Sequence, residues 1–170
     1  KNHNIKSIEM LRKNQDLIND VQKIGLKYYE DILKRIPRKE IISYHATIGN
    51  AFNEIANTRE TYQIVGSYRR GASTSGDIDI IIKASTKTYK DFIQYLIKQG
   101  IIIEILSFGN KKCLCIAKIG NCPARRLDFM VTPHKEWAFA LMYFTGSKEF
   151  NTLMRQQARD MGYSMNEHCF

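Results

Sequence analysis

Apolar residues recur at helical spacing along residues 1–60, at strand spacing along much of residues 61–133, and at helical spacing again to the end. Leu17, Val21, Ile24, Tyr28, Ile32 and Ile36 fall on one face of a helix that Asn14 or Asp16 can cap. Gly25 interrupts the stripe and predicts a bend, and Pro37 ends it. A second helix is predicted through Ile41, Tyr44, Ile48, Phe52 and Ile55, running to about Asn57.

The period then changes. Tyr62–Val65 predicts a short strand, and Asp77–Ile82 is apolar enough for the centre of a sheet. Residues Thr86–Gln99 predict a helix with Tyr89, Phe92, Ile93, Leu96 and Ile97 on one side and Gly100 as its stop. Strands follow at Ile101–Leu106, Lys112–Ile119 and Arg126–Val131, separated by turns at Ser107–Asn110 and Gly120–Asn121. Trp137–Phe144 and Lys148–Met161 are helical, closed by Gly162. The expected class is α+β, with a mixed, mostly antiparallel sheet flanked by helical segments at both ends. Composition shifts divide it into 1–60, 61–133 and 134–170.

Composition narrows the field. The 170 residues are 44% hydrophobic and 25% charged, an ordinary globular balance that excludes wholesale disorder and collagen-like repeats. The net charge of +9 favours a polyanionic partner. Aliphatic runs such as Ile101–Ile103 are far too short to span a bilayer, so no membrane partner is expected. Lys1 stands where an intact chain has Met, which reads as a processed product or excised fragment. The spacing of Cys113, Cys115, Cys122 and Cys169 suits neither a disulfide framework nor zinc, and free thiols in a reducing intracellular compartment are expected.

The stretch with chemical content is Gly66-Ser67-Tyr68-Arg69-Arg70-Gly71, followed by Gly76-Asp77-Ile78-Asp79. Alternation along a strand points Asp77 and Asp79 the same way, and two such carboxylates repel unless a cation lies between them. Gly66-Ser67 offers a turn suited to phosphate oxygens, and Arg69 and Arg70 offer guanidinium forks. A second cation needs a third carboxylate from a neighbouring strand, and Asp128 is the candidate. Two Mg²⁺ ions so held suit in-line phosphoryl displacement. A bare D-x-D pair is usually a solvated strand end; the glycine-serine turn, the paired arginines and the downstream Arg125-Arg126-Leu127-Asp128 make the difference.

These motifs resemble the nucleotidyltransferase superfamily and, within it, the family X DNA polymerases. Gly25-Leu26-Lys27-Tyr28-Tyr29, Lys34-Arg35-Ile36-Pro37-Arg38, Tyr68-Arg69-Arg70-Gly71 and Tyr143-Phe144-Thr145-Gly146-Ser147 follow in the family's order. The resemblance implies a nucleotidyltransferase-type palm. It implies Asp77, Asp79 and Asp128 as metal ligands for two Mg²⁺, with Mn²⁺ a substitute. Asp128 would take the primer hydroxyl proton, and Arg126 would tune it. Arg35, Gly66, Ser67, Arg70 and Gly76 would hold a dNTP triphosphate. Tyr143, Phe144 and Gly146 would line its sugar, and Asn151 would meet its base. Arg155, Lys112 and Arg125 would contact DNA.

Departures matter too. The family's lyase domain and the Gly-rich hairpin that grips primer are absent, Lys148 replaces an acidic residue, and Met130 replaces an Arg. Tyr143-Phe144 stands where template-independent transferases have Gly-Trp. The expected activity is therefore templated DNA synthesis on gapped or primer-template DNA, as a monomer, in short-gap repair, in a nuclear or viral setting. Terminal transfer and a non-catalytic DNA-binding module are the alternatives.

Overall fold

The computed structural model describes residues 5–169. The amino-terminal stripe does not form one helix. It folds as α1 (Ile8–Lys13), a 3₁₀ turn (Gln15–Leu17), α2 (Asp20–Lys27) and α3 (Tyr29–Ile32). Asn19, not Asn14 or Asp16, caps α2, because Gln22 stands three residues on and closes a reciprocal capping box. Gly25 lies inside α2, and the break comes at Tyr28 instead. Ile36 is not helical: a residue before proline is driven to extended backbone, and Ile36–Pro37 forms β1. Pro37 then starts α4 (Arg38–Asn53), which stops short of the expected Asn57.

The chain continues through β2 (Thr61–Ile64), α5 (Gly66–Arg69), β3 (Thr74–Ser75), β4 (Ile78–Lys83) and α6 (Thr86–Lys98). It closes with β5 (Ile102–Phe108), β6 (Lys112–Ala117), β7 (Arg125–Thr132), a 3₁₀ turn (His134–Glu136), α7 (Trp137–Thr145) and α8 (Lys148–Asp160). Five strands form one sheet in the order β2-β4-β7-β6-β5, with β4 and β7 parallel and the other pairs antiparallel. The class is thus the expected α+β, with helices at both ends. A separate ribbon pairs β1 with β3. Neither two-residue strand carries a readable period, and α5 is a single turn.

Alternation decides which face does what. Ile78, Ile80 and Ile82 of β4, with Leu127 and Phe129 of β7, turn into a core shared with Ile41, Tyr44, Ile48 and Phe52 of α4 and Tyr89, Phe92 and Leu96 of α6. Helix α4 therefore packs in the same core as the sheet. On the other face Ile81 and Met130, register partners, pack with Ala140, Trp137 and Leu141 of α7. That helix covers only part of the face, and β4 and β7 present Asp79 and Asp128 beside it. No helix among the described residues is long and apolar enough to cross a membrane. The four cysteines are unbridged, with Cys113 and Cys115 buried.

Candidate active site

Asp79 and Asp128 are register partners across the parallel β4–β7 pair. Asp77 precedes β4, and the carboxylates of all three come within 4.8 Å of one another. Gly66 makes room for them. Its φ is +59°, and a Cβ there would lie 2.5 Å from Asp79 Oδ2. The main chain also ties the two segments, since Val65 N–H donates to Asp79 O at 2.9 Å.

Three clustered carboxylates must take up protons, gain a cation, or both. Burial, followed by the charges of Asp77 and Asp128, raises the Asp79 carboxyl to about 6. Burial likewise raises Asp128, and Arg126 opposes that shift. Arg126 lies between the acids: its guanidinium bonds Asp77 and stands 3.4 Å from Asp128 Oδ1. That oxygen is buried and has no hydrogen bond, the separation being too long for a good one. Hard oxygen donors, mutual repulsion and an orphaned buried acceptor together fit a divalent cation.

A cleft of about 530 Å³ opens against the acids. Arg35, Gly66, Ser67, Arg70 and Gly76 line it, together with Tyr143, Phe144, Gly146 and Asn151. The structure thus brings every sequence-predicted nucleotide residue to one place. Arg35 donates to Thr74 Oγ1 (3.2 Å) and Thr74 O (2.8 Å) across the β1–β3 ribbon. Ser67 and Ser75 hydroxyls meet at 2.8 Å. Arg69 and Arg70 reach across to Thr145, on Oγ1 at 3.0 Å and O at 2.6 Å, so the α5 turn holds the end of α7. Arg38 donates to Tyr68 O at 2.7 Å and stacks 4.2 Å from its ring centroid. Tyr143 and Phe144 meet edge to face, 5.2 Å apart. Asn151 Nδ2 donates to Tyr143 O at 2.7 Å, and its Oδ1 is buried without a partner.

Arg155 lies outside this cleft, in an adjoining groove of about 690 Å³ along α8, with Arg159 and Lys148. Lys148 and Asn151 line both hollows. Lys112 borders a third, of about 360 Å³, with Lys111, Glu136 and His168. Tyr143 lines all three. Arg125 is a correction: it is only 3% exposed and holds Glu40 through two bonds of 2.7 and 2.8 Å, so it does not contact DNA. Alternation puts it on the core face of β7, opposite Arg126. The supports Thr74, Ser75 and Thr145 were not foreseen; only the β1–β3 pairing and the α5–α7 contact single them out.

Residues 35–134 match the family model described as DNA polymerase beta palm, and residues 140–170 that described as DNA polymerase beta thumb. The chain is 33% identical to DNA polymerase lambda of Rattus norvegicus over 160 residues, 87% of this chain and 28% of that protein. It is 32% identical to DNA polymerase lambda of Arabidopsis thaliana over 174 residues, 91% of this chain and 32% of that protein. It is 26% identical to DNA nucleotidylexotransferase of Xenopus laevis over 196 residues, 90% of this chain and 38% of that protein. The chain thus spans 28–38% of the length of these curated relatives.

Proposed function

This chain belongs to family X of the DNA polymerases, and from that premise we propose that it adds a deoxynucleotide to a primer 3′-end on a templating strand and releases pyrophosphate. The observation that supports this most is the cluster of Asp77, Asp79 and Asp128, the first two lining a cleft that Arg35, Ser67 and Arg70 also line. Carboxylates alone would repel phosphate; with cationic side chains in the same cleft, they suit phosphoryl transfer.

In this reading Asp77, Asp79 and Asp128 hold two Mg²⁺ ions, or Mn²⁺, which supply Lewis-acid stabilisation of the attacking and leaving oxygens. Asp128 accepts the proton of the primer 3′-hydroxyl, and Arg126 keeps its charge available. Arg35, Ser67, Arg70 and the Gly66 and Gly76 backbone bind the triphosphate. Tyr143, Phe144 and Gly146 pack on the sugar, and Asn151 reads the base edge. Arg155 meets the template, and Lys112 meets DNA. Catalysis is mostly alignment and charge stabilisation.

Residues 61–133 would then act as palm, 134–170 as the nucleotide-selecting wall and 1–60 as the approach to DNA, with α4 of that last part packed into the palm's core. Gap filling in DNA repair, a monomeric state and a reducing intracellular setting, nuclear or viral, complete the proposal.

The test is primer extension on a one-nucleotide gap with Mg²⁺, each dNTP supplied alone, with and without template. Addition of the complementary nucleotide only is expected. Addition regardless of template would replace this reading with terminal transfer. DNA binding without addition would replace it with a non-catalytic module.

A further inference from the structure

We propose that Arg125 is a positioning residue for nucleotide binding, its buried guanidinium fixing the backbone that presents Arg35 to the triphosphate. This rests on the reading of the cleft given above.

The inward neighbours of Arg125 on β7, Leu127 and Phe129, are fully buried and apolar. A leucine or methionine would fill the same space without the cost of removing a charge from water. What an aliphatic side chain cannot do is donate. Arg125 Nε and Nη2 take the two oxygens of Glu40, at the start of α4. Its Nη1 bonds the carbonyls of Lys34 (2.9 Å) and Asp31 (3.3 Å). Those carbonyls lie at and just beyond the end of α3, where the Asp31 carbonyl also accepts from Lys34 N–H at 3.2 Å. Ala124 N–H adds a bond to the Asp31 carboxylate at 3.0 Å.

Lys34 immediately precedes Arg35. On the far side of Arg35, Ile36 is paired with Ser75 in the β1–β3 ribbon. Arg35 is therefore suspended between two anchors, one of them Arg125. The same β7 strand presents Asp128 on its opposite face. One strand thus carries a metal-site carboxylate outward and, inward, the clamp on the segment bearing the phosphate-facing arginine. Only the planar fork of arginine spans a carboxylate and two carbonyls at once.

A merely structural ion pair would cost stability alone. A positioning residue acts through Arg35, so the two losses cannot multiply. The test is a double-mutant cycle of Arg125→Lys and Arg35→Ala on the 170-residue chain. Binding of the complementary dNTP is titrated with Mg²⁺ on a dideoxy-terminated one-nucleotide gap, where no chemistry follows. Each single variant should weaken dNTP binding about tenfold, the loss of one charge-assisted contact. The double variant should be no weaker than Arg35→Ala alone. Affinity for the gapped DNA should stay within about twofold. Unchanged dNTP binding in Arg125→Lys, or losses that multiply, overturns the proposal. If Arg125→Lys does not fold, Glu40→Asp, which keeps the ion pair and shortens its reach, enters the same cycle with the same expectation. A parent chain that binds gapped DNA but takes up no dNTP overturns the reading of the cleft, and this proposal with it.

Discussion

Asp79 and Asp128 stand opposite each other in register on two parallel strands, so backbone hydrogen bonding itself sets the spacing of the two acids. Neither depends on a loop for its place. The third acid, Asp77, joins them from the end of β4, and Arg126 bridges the outer pair.

Asp128 carries the heaviest expectation. Asp128→Ala should lower primer extension by about a thousandfold or more while leaving DNA affinity within about threefold. Single-turnover extension and fluorescence anisotropy on the same gapped DNA measure the two. Retained turnover would remove Asp128 from the reaction.

Protons and metal should compete at Asp79. Its carboxyl titrates at about 6 against an ordinary 3.8, so the folded state holds the proton more tightly than the unfolded chain. That contribution to stability is present below about pH 4 and is lost as pH rises through about 6. Without divalent metal, the parent should lose melting temperature over this interval relative to Asp79→Asn. Mg²⁺ should raise the parent's melting temperature more at pH 7 than at pH 5, because binding needs the carboxylate. Thermal melts at both pH values, with and without Mg²⁺, decide it.

Gly66→Ala should damage both fold and activity. The new Cβ would meet Asp79 Oδ2 at 2.5 Å, on a backbone with φ of +59° that side chains rarely adopt. A cost of about 1–3 kcal/mol in thermal or urea unfolding is expected. Extension should fall further than stability does, because the displaced atom belongs to the metal site.

Lys148 lines both the cleft beside the acids, where the proposed dNTP would sit, and the groove along α8. Lys148→Asp should raise the KM for dNTP about tenfold with kcat little changed, a loss of binding carried equally into the transition state. Stability should hold, because position 148 opens α8 and an acid there suits the helix N-terminus. Steady-state kinetics with a parallel melt separate the two effects.

The sheet and the acids were legible because their signals are local. Alternation along Asp77–Ile82 gave both a central strand and a shared direction for two carboxylates. The motifs around Tyr68–Gly71 and Tyr143–Ser147 pointed to residues that now line one cleft. The amino-terminal helix was misread because the stripe from Leu17 to Ile36 has the right period, while the Asn19–Gln22 capping box and the backbone preference before Pro37 outweigh it. Arg125 was misassigned because adjacent arginines look alike in sequence; a one-residue step on a strand sends one to solvent and one to the core. The supporting roles of Thr74, Ser75 and Thr145 are not readable in the sequence, because they come only from contacts made in the folded chain.

The parallel pairing of β4 with β7 also has a consequence for how the protein comes into being. Between those strands the chain must lay down α6, β5 and β6 before β7 can slot in beside β4. Parallel neighbours cannot be joined by a tight turn, and contacts of such long sequence separation close late. Asp79 therefore waits for Asp128 until β7 has paired with β4. A growing or refolding chain cannot assemble the three acids before β7 is made and paired, so capture of a divalent ion by the full triad would report that β4 and β7 have met.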